Sequence, residues 1–409
     1  MTRRSRRFRT ALTVLVAWSA LTGAALVGAV PAGAASKARA ITPGVRYSTL
    51  DIRTARGVMH AHLLTVDLRD PRVGVDLLHP RAVAARATVS RLADAQGAVA
   101  GVNGDFFNVA ETQHPGVEAT GAAVGPAVAN GRALKSAVPR GQRFGPALPP
   151  GADTEEVLGV GTDRRARLDR LHLTGSLTTE AGRLPLGGLN QYALRQGSIG
   201  AYTSAWGSAS RVRPTCGTDS HRGAPCSRDT FEVTVRGGRV VARAARPGRG
   251  PIPRGTTVLV GREAGAHRLR TLVRGRQVQV QHRLVAGSSG VPYRFAVGGF
   301  PLLRHGTALS GLDASTTAVR TAAGVADGGR RLLLLALDGS DARHGGLTLF
   351  ELASVLRTLG ATDGFNLDGG TSTTLVTRLP GAHRVTVRNH PGGGAERPVA
   401  DGIGVFSRR

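Results

Sequence analysis

The sequence predicts an α+β fold in which helices pack on a mixed β-sheet, with a β-rich insertion in the middle of the chain. Residues 46–78 contain stretches of alternating polar and apolar side chains, which are typical of half-buried strands. Residues 331–337 are almost entirely apolar and are followed by Asp338 and Gly339. This run indicates a buried strand that is closed by a turn.

A helix is predicted between that strand and the next one. Thr348 and Glu351 form a capping box at its start, apolar residues continue at helical spacing, and Gly360 ends it. A shorter helix is predicted over residues 88–96. The order strand, helix, strand, together with long β stretches elsewhere, favours an α+β fold over a fully wound parallel sheet.

The composition changes between about residues 164 and 285, where short strand-like runs are separated by Gly, Pro and Arg. We interpret this segment as a β-rich insertion or subdomain within one large domain, residues 36–409. Cys216 and Cys226 are the only cysteines, and both lie in it. In an oxidising compartment they are expected to form a disulfide, whereas a metal site would have only His221 as a nearby imidazole. We predict no cofactor and no obligatory transition metal, and we leave calcium binding as an alternative.

Residues 1–35 have the pattern of a secretory signal peptide. Five arginines in residues 1–9 precede an apolar run over residues 11–30 and a small-residue cleavage site near Ala34. An uncleaved membrane anchor is the alternative. We therefore predict a secreted protein, extracellular or associated with the cell wall, with no membrane span in the mature chain.

The chain is strongly basic. Its formal net charge of +27 falls to +22 without the five signal arginines, which favours an anionic partner such as a cell-wall polymer, a phosphorylated carbohydrate or nucleic acid. Only 4% of the residues are aromatic, so the stacking surfaces of a single-strand binder are scarce. The composition therefore argues against nucleic acid.

Residues 97–105 and 360–368 are similar at a constant offset of 263, with five of nine positions identical. Each copy ends in Asn-x-Asp, as Asn103 with Asp105 and as Asn366 with Asp368. In a strand the two side chains of each pair lie on one face. Two carboxylates at two similar strand ends suit glycosidic bond cleavage, so we expect both at the mouth of one cleft in one sheet. The alternative is two coincident Asx turns.

Six motifs resemble, in order, those of the phosphodiester glycosidase family. They are Asn103-Gly104-Asp105-Phe106-Phe107, Val297-Gly298-Gly299-Phe300-Pro301, Arg320-Thr321-Ala322-Ala323-Gly324, Leu337-Asp338-Gly339, Asn366-Leu367-Asp368-Gly369-Gly370-Thr371-Ser372-Thr373-Thr374, and the segment from Arg397-Pro398 to Asp401-Gly402-Ile403-Gly404-Val405. Thr371 departs from the family pattern, in which a third glycine is usual. The resemblance implies a hydrolase that removes an N-acetylglucosamine-like sugar from a phosphodiester and leaves a phosphomonoester.

The chemistry of that reaction selects candidate residues. A phosphate monoester has a second pKa of about 6, so it leaves without strong acid assistance but needs a cation for its charge. Asp105 and Asp368 would divide the nucleophile or base role and the acid or sugar-binding role, with Asp338 as a third carboxylate. The candidate phosphate- and substrate-binding residues are Asn103, Arg320, Thr321, Asn366, Gly369, Gly370, Thr371, Ser372 and Thr373, among which Arg320 is the phosphate clamp.

Simpler explanations exist for these residues. Arg320 could form a surface ion pair, and Asp338-Gly339 could be an ordinary turn. A second function is also open, that of a secreted non-catalytic module which binds anionic glycans or cell-wall polymers. Such a module would need the arginine and the glycine loop but not two carboxylates.

Overall fold

The computed structural model describes residues 38–339 and 345–408. The predicted signal peptide lies outside the described residues. None of the described helices has the length and apolar character needed to cross a membrane.

Strands contribute far more of the described residues than helices do. In chain order the first strands are β1 (Arg39–Thr42), β2 (Val45–Thr54), β3 (Gly57–Asp67), β4 (Val73–Leu78), β5 (Ala100–Asn103), β6 (Ala127–Ala129), β7 (Arg132–Lys135), β8 (Glu156–Gly161), β9 (Ala166–Thr179), β10 (Gly182–Pro185), β11 (Gly188–Leu189) and β12 (Ile199–Tyr202). They are followed by β13 (Thr230–Arg236), β14 (Arg239–Ala244), β15 (Thr256–Arg262), β16 (Gln279–Ala286), β17 (Tyr293–Gly298), β18 (Phe300–Arg304), β19 (Thr307–Ala308), β20 (Thr321–Ala326), β21 (Arg331–Leu337), β22 (Asp363–Asn366), β23 (Leu375–Thr377), β24 (Thr386–Val387) and β25 (Gly402–Ser407). The α-helices in the described ranges are α1 (Val89–Gln96), α2 (Ala264–Arg270) and α3 (Leu349–Thr358).

The largest sheet has eight strands in the order β1-β2-β3-β21-β20-β22-β18-β19. Its strand β21 is buried on both faces, as the apolar run predicted. Leu333 and Leu335 belong to the core cluster that includes α3, whereas Leu332 and Leu334 belong to a second cluster on the other face. Burying both faces of one strand explains why the run lacks polar alternation.

A five-stranded sheet, β24-β23-β5-β25-β4, covers the second face of the eight-stranded sheet. Val102 of β5 and Ile403 of β25 lie in the same core cluster as Leu334. Helix α1 contacts β4, β5 and β23 on the other side of this smaller sheet, and α3 contacts β18 and β22 of the larger one.

The predicted mixed sheet is found, within the described residues, only as β11-β12-β15-β13-β14, whereas the largest sheet is antiparallel throughout. Strand pairing is antiparallel in the described part of the chain, except between β11 and β12, which pair over two residues each. The strand–helix–strand unit β21-α3-β22 is present, but β20 lies between its two strands and pairs antiparallel with both. The unit therefore adds no parallel pair, and the structure is richer in β-strand than the α+β prediction implied.

The middle of the chain forms two further sheets. β9 and β16 pair with each other and join a seven-stranded sheet with β8, β17, β6, β7 and β10. Between them in sequence lies a five-stranded sheet, β11-β12-β15-β13-β14, with its own core cluster around Leu259. The disulfide Cys216–Cys226 is formed. The segment is thus β-rich, and its limits as a separate unit stay a prediction.

Candidate active site

The sequence repeat corresponds to two similar local structures. Thr88 caps α1 and Thr348 caps α3, and each helix is followed by a glycine with positive φ, 75° at Gly97 and 89° at Gly360. A four-residue strand then ends at the asparagine of each Asn-x-Asp. The expectation that both strands belong to one sheet is wrong, because β5 lies in the five-stranded sheet and β22 in the eight-stranded sheet.

The two strand ends nevertheless meet where the sheets face each other. The Asn103 side chain donates to the carbonyl oxygen of Asp368 at 2.6 Å, and the Asp368 amide donates to the carbonyl oxygen of Gly104 at 2.8 Å. Asn103 Oδ1 accepts hydrogen bonds from the Thr321 hydroxyl and the Thr374 amide. Asn103 therefore connects three backbone segments where the two sheets meet.

Three predicted substrate-binding residues lie inside the protein. Asn103, Thr321 and Asn366 are completely buried and do not line the cavity beside Asp368. Asn366 donates to the carbonyl oxygen of Leu367, and its own Oδ1 has no hydrogen-bond partner among the described residues. These side chains support the strand ends from inside.

A cavity of about 320 Å³ opens beside Asp368. Phe106, Phe107 and Phe144 form an aromatic part of its wall. The other lining residues are Val109, Gly145, Pro146, Asp313, Thr316, Ala318, Val319, Arg320, Asp368, Gly369, Gly370 and Arg397. Four of the predicted site residues, Arg320, Asp368, Gly369 and Gly370, are thus brought together.

Arg320 supplies a cation to this cavity. Its side chain is 6% exposed and donates to the carbonyl oxygens of Leu347 (2.9 Å) and Thr316 (3.0 Å). Burial lowers the pKa of Arg320, and the Asp313 carboxylate opposes that shift. No carboxylate within the described ranges forms an ion pair with it, so the surface ion pair considered from the sequence does not occur there. A buried cation that makes no direct ion pair favours an anionic ligand.

Asp368 is surrounded by protein except where it faces the cavity. This burial raises the pKa of Asp368 to about 7, although the Ser372 hydroxyl and Arg397 oppose the rise. The carboxylate of Asp105 raises this pKa as well. Asp368 is therefore close to half ionised at neutral pH, which suits a group that takes up or releases a proton.

The glycine loop after Asp368, where phosphate binding was predicted, has most of its amides in hydrogen bonds within the protein. Gly370–Ser372 is a 3₁₀ turn, and the amides of Gly369, Gly370, Ser372 and Thr373 all donate to oxygen atoms of the protein. A Cβ on Gly369 would lie 2.5 Å from the carbonyl oxygen of Val319, so close packing requires glycine there.

The hydroxyl residues of this loop differ in position. The exposed Thr371, at the position where a third glycine is usual, accepts a hydrogen bond from Arg397 at 2.9 Å. Ser372 and Thr373 are fully buried and do not line the cavity. Thr371 thereby fixes a second arginine at the cavity wall.

Asp105 lies behind this wall. It is 2% exposed and is absent from the cavity lining, so the expectation that both carboxylates open into one cleft is wrong. Its Oδ2 accepts a hydrogen bond from the Gly125 amide, and its own amide donates to Oδ1 of Asp401 at 2.8 Å. Burial raises the pKa of Asp105 and that of Asp401. The sequence interpretation missed Asp401, although it lies in the last of the six motifs.

Asp338 is held away from the cavity. Its Oδ1 lies 3.0 Å from His62 Nε2 and 2.7 Å from the amide nitrogen of His390, and His62 Nδ1 contacts the Tyr47 hydroxyl at 2.7 Å. Burial would raise the pKa of Asp338, but the hydrogen bonds from His62 and His390 outweigh it, so the pKa is lowered. Asp338 thus joins the end of β21 to the His390 segment.

A second carboxylate on the cavity wall, Asp313, was also missed. It follows β19 in a polar loop without a strand or helix signal, and its Oδ1 accepts hydrogen bonds from Ser315 and the Thr316 amide. Hydrogen bonds from Thr316 and Ser315 lower its pKa. Asp313 is therefore ionised over the range in which Asp368 titrates.

One cluster in the described ranges has metal-ligand spacing. It consists of His114, Cys216 and Cys226. Both cysteines are in the disulfide, and His114 contacts Glu111 and the carbonyl oxygen of Ala224. Thiolates are the form of cysteine that binds metal, so this cluster is not a metal site.

Comparison with known proteins finds a family match over part of the chain. Residues 229–406 match the model of the phosphodiester glycosidase family. The resemblance seen in the motifs is confirmed over this part of the chain. Arg320, Asp338, Asp368 and Asp401 lie within the matched residues, whereas Asp105 precedes them. No curated protein matches the chain.

Two solved structures with TM-scores of 0.69 and 0.64 share the fold. A hypothetical protein from Synechocystis is 23% identical over 92% of this chain, with a TM-score of 0.69, and this chain covers 64% of its length. A proposed exported protein from Burkholderia pseudomallei K96243 is 24% identical over 85% of this chain and 74% of its own, with a TM-score of 0.64. The catalytic domain of zebrafish N-acetylglucosamine-1-phosphodiester alpha-N-acetylglucosaminidase, auto-inhibited by its pro-peptide, is 14% identical over 92% of this chain and 88% of its own, with a TM-score of 0.44.

Proposed function

We propose that the protein is a secreted glycosidase whose active site is the cavity beside Asp368. It would hydrolyse the glycosidic bond of a sugar-1-phosphodiester and leave a phosphomonoester. The observation that carries this proposal is that Arg320, which forms no direct ion pair in the described ranges, lines the same cavity as Asp368, a carboxyl group whose pKa is raised to about 7. The family match over residues 229–406 supports a hydrolase-type function.

Arg320 is suited to bind the phosphodiester. A guanidinium group pairs with two phosphate oxygens at once and stabilises the charge that grows as the phosphate leaves. Arg397, which Thr371 holds on the same wall, would add a second positive charge. Neither arginine has to give up a proton.

Asp368 would act in its ionised form. The carboxylate accepts a proton from a water molecule while the water oxygen bonds to the anomeric carbon. The bond between that carbon and the phosphate oxygen breaks, and its electron pair stays on the phosphate. Because the phosphate monoester is a weak base, with a second pKa of about 6, no second carboxyl group is required to protonate it.

The sugar would lie against the aromatic wall. Phe106, Phe107 and Phe144 present apolar ring surface to the cavity, and apolar surface with a few polar groups is typical of small-molecule sites. The volume of about 320 Å³ is at the lower end of the range for such sites. It therefore suits one N-acetylglucosamine-like sugar with its phosphate, the rest of a phosphorylated glycan or cell-wall polymer staying outside.

Secretion belongs to the same proposal. The predicted signal peptide, the disulfide and the basic composition all suit a protein that meets anionic polymers outside the cytoplasm. The second candidate function, a non-catalytic module that binds anionic glycans, is favoured by one observation. Asp105 is enclosed, so the pair of carboxylates in one cleft that the sequence suggested is missing.

An activity assay separates the two functions. The mature protein is incubated with a sugar-1-phosphodiester, and the released free sugar and phosphomonoester are measured. Hydrolysis by the wild type, lost in Asp368→Asn and retained in Asp338→Asn, is the expected result. Asp338 is the matched control because its carboxylate ends a strand of the same sheet without lining the cavity. Binding without any release of sugar would support the non-catalytic module.

A further inference from the structure

A buried group of charges lies directly behind the cavity wall. Asp105, Asp401 and Lys135 are 2%, 3% and 1% exposed. The Asp105 amide donates to Asp401 Oδ1 at 2.8 Å, which fixes the two aspartates relative to each other. Buried charges that are not compensated are strongly unfavourable, so the cation and the two carboxylates have to be considered together.

Lys135 acts on Asp105 through one peptide group. Its ammonium group donates to the carbonyl oxygens of Val124, Gly125 and Ser136. The peptide between Val124 and Gly125 thus has the ammonium group at its carbonyl end, and its N–H donates to Asp105 Oδ2. A peptide polarised in this way makes a stronger hydrogen bond to the carboxylate.

Glycines keep space for both carboxylates. A Cβ on Gly298 would collide with Asp105 Oδ2, and a Cβ on Gly104 would collide with Asp401 Oδ1. Both glycines belong to the family-like motifs, which indicates that the motifs describe the closed cluster as well as the cavity. Asp105 Oδ1 has no hydrogen-bond partner in the part of the chain that the structure describes.

We propose that Asp105 is a positioning residue that does not touch the substrate: its charge moves the pH range in which Asp368 is ionised to higher pH. The Gly125 amide holds the Asp105 carboxylate and Asp401 holds its backbone amide, and the carbonyl oxygen of the neighbouring Gly104 accepts a hydrogen bond from the Asp368 amide at 2.8 Å. This proposal rests on the proposed function of Asp368. The ionisable groups that act on Asp105 are Lys135, Arg143, Tyr192, Asp368 and Asp401. Lys135 and Arg143 favour the ionised form of Asp105, whereas burial opposes it.

The decisive variant is Asp105→Asn, which removes the charge and retains an oxygen for the Gly125 amide. The rising limb of kcat/KM against pH should move to lower pH by about one unit, because a like charge near Asp368 has been removed. The activity at high pH should stay within about tenfold of the wild type, since general-base catalysis by Asp368 remains. Asp401→Asn, which also removes a carboxylate that interacts with Asp368, should shift the profile in the same direction.

The melting temperature gives a readout that does not require turnover. The melting temperature of Asp368→Asn minus that of the wild type should increase as pH rises from 5 to 8. The same difference, measured between the double variant and Asp105→Asn alone, should increase less. Asp169→Asn is the matched control, because Asp169 is also buried, with 3% exposure, but has a lowered pKa. Burial raises the pKa of Asp169, and hydrogen bonds from Ser288 and neighbouring groups outweigh that effect. The difference between the melting temperatures of Asp169→Asn and the wild type should stay constant between pH 5 and 8.

Each result decides the proposal. A folded Asp105→Asn protein that is inactive at every pH would overturn it, since Asp105 would then take part in the chemistry. The proposal would also be overturned if Asp105→Asn had the pH profile of the wild type and if Asp368→Asn raised the melting temperature equally in the wild-type and Asp105→Asn backgrounds. If the wild type releases no sugar, the proposed function fails, while the melting temperatures still decide whether Asp105 acts on Asp368.

Discussion

At the residue scale, the ionisation of Asp368 is the property with the clearest consequences. Its pKa of about 7 in the folded protein lies above the ordinary value, so kcat/KM should rise with pH up to about 7 and then level off. Asp368→Asn should lower the rate by at least about a hundredfold at all pH values. A rate that falls as pH rises through 7 would instead assign Asp368 the role of general acid.

The same pKa predicts how stability depends on pH. When the pKa of a carboxyl group is higher in the folded than in the unfolded protein, the folded protein loses stability as pH rises. The loss begins at the pKa in the unfolded state, near 4, and is complete above the pKa in the folded state. Asp368→Asn resembles the protonated form. The melting temperature of the variant minus that of the wild type should therefore increase between about pH 4 and 7 and stay constant above pH 7. An equal offset at pH 4 and pH 8 would contradict the raised pKa.

Arg320 allows a test of phosphate binding. Arg320→Lys retains the charge but loses the planar pair of donors, so inorganic phosphate should inhibit about tenfold more weakly and KM should rise by a similar factor. Arg304→Lys is the control, since Arg304 pairs with Glu156 and does not line the cavity. Equal inhibition of both variants by phosphate would remove Arg320 from the phosphate site.

The residue types at the site were largely predictable, but their surroundings were not. The motifs singled out Arg320, Asp368 and the glycine turn, all of which line the cavity. They also singled out Asp105, whose burial depends on Gly125 and Gly298, far away in sequence. Asp313 was missed because it lies in a polar loop whose position depends on the fold of the cavity wall.

At the scale of elements, the local units followed the sequence closely. The capping box at Thr348, the helix stop before Gly360 and the buried strand β21 are all present. What the local pattern could not show is which strands pair. β20 lies between β21 and β22 and pairs antiparallel with both, so the sheet around the strand–helix–strand unit is not mixed. β5 joins β23 and β25, so the prediction that the two strands of the repeat share a sheet was wrong.

The disulfide loop gives a prediction about one element. Cys216→Ser should lower the free energy of unfolding by about 2 to 3 kcal/mol, because the bond closes a short loop. The loop also reaches the cavity, since Arg222 lies over the Phe144 ring at 4.1 Å and donates to the carbonyl oxygen of Arg143. KM should therefore rise modestly while kcat stays unchanged. Two free thiols in the purified wild-type protein would contradict the expected stabilisation.

At the scale of the whole molecule, the middle segment is joined to the rest by a shared core. Its five-stranded sheet has a cluster of its own, but Tyr202 and Trp206 pack in the cluster that also contains Leu333 of β21 and Leu352 of α3. The sequence suggested an insertion because the composition changes there. Composition does not reveal that one face of the segment completes the main core.

This shared core predicts a single unfolding transition. Trp206 is the only tryptophan after the predicted signal peptide and is completely buried, with its ring edge-on to Tyr202 at 5.1 Å. Its fluorescence therefore reports the contact between the segment and the main core, whereas far-ultraviolet circular dichroism reports the strands of all sheets. Because neither part can lose this contact without exposing apolar surface of the other, both signals should change at the same temperature and denaturant concentration. In Cys216→Ser both midpoints should fall together, and a fluorescence change that precedes the loss of strand signal would identify the segment as an independently unfolding subdomain.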